Sequence, residues 1–182
     1  MMARVIAIGQ PVNDSERQAI AHLRDHLPDS YTILHNFEIR RGSEFFEVDL
    51  AIIAPHAVYV VDVKGTRGNI DVYGGKWYPE RRQPFSSPLP KLRGHAKVLS
   101  GLIADSNHAD PDLRKVYCDV AVVLTAPDAH LSDSTGLDAP LTTTLAKSVR
   151  FFQDSGRIPS RSRRSPPVPG FCRRGDRSTH PP

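Results

Sequence analysis

The sequence predicts an α/β domain with a mixed central β-sheet flanked by helices. Two observations carry this. Apolar residues alternate at strand spacing in four stretches, 31–39, 45–53, 58–63 and 116–124. Apolar residues recur instead at helix spacing at Ala19, Ile20, Leu23 and Leu27, and again at Leu92, Ala96, Leu99 and Ile103. The chain has 182 residues, enough for one ordinary domain.

The first twelve residues read as an N-terminal extension, in which 4–8 is a short apolar piece ended by Gly9 and Pro11. Asn13 or Ser15 can then cap a helix running to about Leu27. Glu16 falls on the apolar stripe of that helix, one turn before Ile20. An acid there has two explanations. It either completes a capping box with Asn13 or points along the core edge into a charged site. The pattern leaves both open.

Pro28 and Asp29 end the helix, and 31–39 is a strand with Ile33, Phe37 and Ile39 on one side. Arg40, Arg41 and Gly42 make a polar turn. In the next strand Val48, Leu50 and Ile52 form one face, while Glu47, Asp49, Ala51 and Ile53 form the other. The connection through Ala54, Pro55 and His56 is so short that 58–63 must pair antiparallel. In that partner strand Tyr59, Val61 and Val63 share one face, and Val58, Val60, Asp62 and Lys64 share the other.

Gly74-Gly75 joins 70–73 to 76–78 in a second small hairpin. Trp77, the one tryptophan, is expected to cover the sheet rather than stack on a base. A proline-rich connector at 81–90 leads into a helix over about 90–104. Lys91, Arg93, His95 and Lys97 put positive charge on that helix, with Arg93 and Lys97 read as a solvated face. A loop at 107–112 precedes 116–124, which is apolar on both faces near its end and suits an interior strand. A last helix is expected over 141–152. The core domain is thus placed at 13–125, with a loop and helix to 155. The stretch 156–182 is rich in Arg, Ser and Pro and is expected to be disordered.

The formal charge is +4, but seven arginines against one acid lie between 157 and 177, leaving the rest slightly acidic. Basicity is therefore weak evidence about the domain. Cys118 and Cys172 form neither a CxxC pair nor a disulfide scaffold. No stretch approaches the roughly 20 apolar residues of a membrane helix, so a soluble cytoplasmic protein is expected.

The hairpin places the start of one strand beside the end of the next. Glu47 and Asp49 begin the first, and Asp62 and Lys64 finish the second. The charges therefore converge at its open end. Cross-strand acid–lysine contacts are worth only about 0.2–1 kcal/mol. They do not account for three acids beside one lysine, because crowded like charges need a cation or a proton. Mg²⁺ or Mn²⁺ suits carboxylate and carbonyl oxygens. Asp49 and Asp62 can supply carboxylates and Val63 a carbonyl, with Glu16 reaching in from the helix directly or through a water. Lys64 can orient a water or steady charge on phosphate, and Lys91 can approach the same site. No Cys/His grouping suggests zinc, and no GxxxxGK loop suggests nucleotide binding. His56 lies at the wrong end of the hairpin.

The pieces Glu16, Glu47-Val48-Asp49 and 58–64, followed by Gly68-Asn69-Ile70, Trp77 and a proline-led helix, resemble the NERD (nuclease-related) domain. That domain is a branch of the PD-(D/E)XK nuclease superfamily, and the resemblance covers roughly 14–103. It implies a restriction-endonuclease-like core and gives Glu16, Asp49, Asp62 and Lys64 the family's catalytic positions, with Glu47 a flanking polar residue. Two departures stand out: Asp62 stands where many members carry glutamate, and Lys91 where many carry glutamine. The resemblance also implies a neighbouring kinase or helicase module, and 42–49 with 64–77 resemble the N-terminal part of bacterial phage-resistance kinases. The function expected is metal-dependent hydrolysis of nucleic acid, DNA first. The rivals are a noncatalytic module that binds nucleic acid or a partner protein, and an α/β domain whose hairpin charges are incidental, which would turn Glu16 away from Asp49 and Asp62.

Overall fold

A computed structural model describes residues 2–106 and 116–159. Strand β1 is Arg4–Ala7 and helix α1 is Asp14–His26, capped by the Asn13 side chain, which accepts from the Glu16 N–H at 3.0 Å. Strands β2 (Thr32–Arg41), β3 (Glu44–Ile53) and β4 (Val58–Lys64) follow as an antiparallel meander. Next come β5 (Asn69–Tyr73), β6 (Lys76–Pro79), the short β7 (Phe85–Ser86) and helix α2 (Leu89–Ser106). Strands β8 (Cys118–Leu124), β9 (His130–Asp133) and β10 (Thr142–Thr144) lead to helix α3 (Leu145–Gln153).

Two sheets result. The larger runs β1-β2-β3-β4-β8-β10 and the smaller β7-β6-β5-β9. The larger is mixed: β8 lies parallel to both β4 and β10, and β1 parallel to β2. A parallel β4–β8 neighbourhood needs a long crossover, and the chain makes it through β5–β7 and α2. Gly74 and Gly75, with φ of 55° and 72°, supply the left-handed pair that a tight β5–β6 turn requires. Pro90 sits in the first turn of α2, where a missing N–H costs little.

The large sheet is covered on both faces. On one, Ala19 and Leu23 of α1, Leu27 at its C-cap and Phe152 of α3 pack on Tyr59, Val61 and Val63. On the other, Leu89, Leu92 and Ala96 of α2, with Ile70, Val72 and Trp77 of the small sheet, pack on Val60, Val120 and Val122. Trp77 is fully buried and does cover the sheet.

Several expectations are corrected. The 4–8 piece is an edge strand of the main sheet. The last helix starts at Leu145, because Ala139–Leu141 forms a 3-10 turn and the β-branched run Thr142–Thr144 joins β8. The strand faces are not continuous either. Ile33, Leu50 and Ile52 pack in the first core, but Phe37, Ile39 and Val48 pack in the second. Asn36, with φ of 52°, turns the chain between them, and the β2–β3 ladder skips the Asn36/Asp49 position. Gly156 and Arg157 belong to a 3-10 turn and Ile158 is buried in the first core. The rest of the expected tail, and the loop at 107–112, lie outside the described residues.

Candidate active site

The interruption at Asn36 and Asp49 shapes the site. Pairing between β3 and β4 runs from Ile53↔Val58 to Leu50↔Val61 and stops there. In that register Asp49 and Asp62 are the next residues to face each other. The strands part, and the Asp49 Oδ2 accepts the Val63 N–H at 3.4 Å where a main-chain carbonyl would otherwise stand. Successive strand residues turn their main-chain groups to opposite neighbours. The Lys64 carbonyl accepts from Thr125 N–H, on the β8 side, at 3.0 Å. The Val63 carbonyl therefore faces the opened gap beside Asp49.

The electrostatics follow from this crowding. Burial pushes the Asp49 carboxyl up to about 6, and the neighbouring Asp62 charge pushes the same way. The Val63 N–H opposes the shift, and Glu16 adds a smaller repulsion. Asp62 is relieved by Lys64, whose Nζ lies 2.9 Å from Oδ1 and 2.7 Å from Oδ2. The two are separated by two positions on β4, so their side chains share a face.

Glu16 fulfils the capping reading and more. Its Oε1 accepts from Asn13 Nδ2 at 2.8 Å, and its Oε2 accepts from the Val12 N–H and from Asn36 Nδ2, both at 2.8 Å. It is 4% exposed. It thus ties the start of α1 to the left-handed residue of β2 opposite Asp49. These three donors hold it at the helix terminus. Among the described residues no three acid, histidine or cysteine side chains gather to hold one metal ion directly.

A cleft of about 290 Å³ opens over the pair. Glu47, Asp49, Asp62 and Lys64 line one side; Lys91 and His95 of α2 line the other, with Phe85, Ser86 and Ser87 between. Lys91 thus borders the same cleft as Asp49 and Asp62. Two residues were missed. His95 was read only as helix charge, although it shares the buried face with Leu92 and Ala96. Asp138 carries no sequence signal: it lies in a loop, yet is 8% exposed. Its Oδ2 accepts from Trp77 Nε1 and from Ser87 Oγ, both at 2.6 Å. Ser87 Oγ in turn accepts the Leu89 N–H at 3.3 Å at the start of α2. Asp138 therefore fastens the cleft wall that carries Lys91.

The family model of the nuclease-related domain, NERD, matches residues 12–125, well over half of the chain, and the protein belongs to that family. The chain is also similar to the protein named "Probable kinase PglW" from Streptomyces coelicolor. The two are 27% identical over 129 residues, a match that covers 67% of this chain and 8% of that protein. The chain therefore spans a small part of the relative's length. No solved structure matches. Asp138 and the β9–β10 region lie beyond the matched residues.

Proposed function

We propose that this nuclease-related domain hydrolyses phosphodiester bonds of nucleic acid, with DNA as the expected substrate, and depends on Mg²⁺ or Mn²⁺. One observation carries the reading: β3–β4 pairing stops just short of Asp49 and Asp62, which face each other in that register, and strand alternation turns the Val63 carbonyl to the same gap. These are hard oxygen donors, which suit such a cation. The Asp49 carboxyl is raised first by burial and then by the neighbouring Asp62 charge, and a bound cation would offset both. When bound, the cation supplies positive charge that activates water and polarises a phosphate. The chain's own residues do the rest. Asp49 and Asp62 fix the reacting end of the cleft. Lys64, released from Asp62, is placed to hold the attacking water or a phosphoryl oxygen. Lys91 faces them from α2 and takes the phosphate backbone.

The noncatalytic reading has its own support. Lys64 is closed on Asp62, and Glu16 accepts from Val12, Asn13 and Asn36. A domain held in this state would bind nucleic acid or a partner protein without cutting. The relative is named a probable kinase, and the matched part is a small fraction of it. That name favours a kinase module as this domain's neighbour, a helicase module being the other expectation; a cytoplasmic phage-defence protein is the setting that the sequence leads us to expect. No helix among the described residues is long and apolar enough to cross a membrane. The test is cutting of plasmid DNA with Mg²⁺ or Mn²⁺ present. Cutting is expected from the wild type and from neither Asp62→Ala nor Lys64→Ala. Undiminished cutting by both variants removes this site from the reaction, and binding without cutting by the wild type favours the noncatalytic reading.

A further inference from the structure

The α2 side of the cleft holds a group that the proposed reaction does not use. His95 follows Lys91 by four residues, so both side chains leave the helix on one face. Both line the cleft, but Lys91 is exposed whereas His95 is 5% exposed. The imidazole meets Phe46 edge-on, with ring centroids 5.3 Å apart. Its Nδ1 is shut off from solvent and has no hydrogen-bond partner. A phenylalanine would pack there equally well without leaving a polar nitrogen dry, at a cost of about 1–3 kcal/mol. Packing alone therefore does not account for a histidine.

The dry nitrogen also indicates where the ring proton sits. A buried donor without an acceptor is rarer in folded proteins than an under-used acceptor. Nδ1 is thus the bare acceptor and Nε2 carries the hydrogen. Burial and the Lys91 charge lower the proton affinity of the ring, with Asp62 opposing, which favours this neutral form. Only Nδ1 of the ring is both enclosed and unpartnered, and the ring borders the cleft, so Nε2–H is the polarity it offers there.

We propose that His95 is a substrate-contacting residue whose Nε2–H donates to a phosphoryl oxygen, beside the Lys91 ammonium. The proposal rests on the reading of this cleft as a phosphodiester site. It divides the cleft into two walls with separate tasks: β3 and β4 present the carboxylates, and α2 presents donors to the phosphate.

The experiment uses the full chain in EDTA and a short single-stranded DNA oligonucleotide of mixed sequence, so that no cutting intervenes. Affinity is measured for the wild type and for Lys91→Ala, His95→Phe and His95→Gln, and the His95 ring nitrogens are followed by NMR. His95→Phe is expected to fold with an unchanged or higher unfolding midpoint, yet to bind about five- to tenfold more weakly, the loss of one hydrogen bond. His95→Gln, which retains a donor, is expected to recover most of that loss. The ring nitrogens are expected to report hydrogen on Nε2, with a shift at saturation. Wild-type affinity in His95→Phe and unmoved ring signals, with binding weakened by Lys91→Ala, overturn the His95 role while leaving the cleft reading intact. Binding that none of the three variants alters overturns the His95 role and assigns the affinity to residues outside the cleft, the arginines of 157–177 first.

Discussion

Replacing Asp49 by asparagine should stabilise the protein at neutral pH. The carboxyl is raised from 3.8 to about 6, chiefly by burial and then by Asp62. A group whose folded pKa lies above its unfolded value favours folding fully only below the unfolded value. That contribution is lost as pH rises through the folded value. The window here is therefore from about pH 4 to about pH 6, and above it the ionised carboxylate is a burden. A rise of roughly two pH units corresponds to about 3 kcal/mol at 1.36 kcal/mol per unit. Solvent at the cleft mouth screens part of that. The Asp49→Asn side chain keeps an oxygen for the Val63 N–H while removing the charge. Urea unfolding in EDTA should show Asp49→Asn more stable than wild type by about 1–3 kcal/mol at pH 7.5, with little difference at pH 4. Mg²⁺ should then narrow the gap by stabilising only the wild type. An Asp49→Asn protein less stable than wild type at pH 7.5, or equally advantaged at pH 4, would refute the reasoning.

Other substitutions probe the supports of the site. Asp138→Ala leaves the buried Trp77 N–H and Ser87 hydroxyl without their acceptor, and should cost about 2–4 kcal/mol with a shift in emission from Trp77, the one tryptophan. Unchanged emission would show that the bond is not made in solution. Glu16→Gln replaces one of two accepting oxygens by a donor facing N–H groups, and should cost about 1–3 kcal/mol in the same unfolding assay. Gly9→Ala brings a Cβ to 2.5 Å from the Asn36 carbonyl oxygen, so it should lower the unfolding midpoint and disturb Asp49 through the neighbouring strand. Removing residues 160–182 should preserve folding, because Ile158 completes the core, and should leave a salt-sensitive DNA affinity in place. Complete loss of that affinity would assign it to the arginine-rich tail.

The strands and helices were legible where one pattern dominated. The period of two through 58–64 identified the faces of β4, and the run 116–124 identified an interior strand. The convergence of Glu47 and Asp49 with Asp62 and Lys64 followed from a short turn, a local feature, while the register that sets Asp49 against Asp62 came from the structure. What lay hidden depended on tertiary context. A left-handed Asn36 reverses the faces of β2 and β3, and no composition rule marks a single residue of that kind. Glu16 was legible as a cap, but its third bond joins positions twenty residues apart. Asp138 reads as an ordinary loop acid because its partners, Trp77 and Ser87, lie more than fifty residues away. His95 was visible as an i+4 neighbour of Lys91, yet its burial depends on the packing of Phe46.

If the opened β3–β4 end is a divalent-cation site, Mn²⁺ tests it directly. The electron paramagnetic resonance signal of free Mn²⁺ is recorded as protein is added at neutral pH. The wild type should deplete the free-ion signal at a stoichiometry of about one, the single site that the paired carboxylates form. The Asp49→Asn, Asp62→Asn double variant should leave the signal unchanged. Equal depletion by both proteins would place the ion elsewhere and contradict the assignment of this end of the sheet as the metal site.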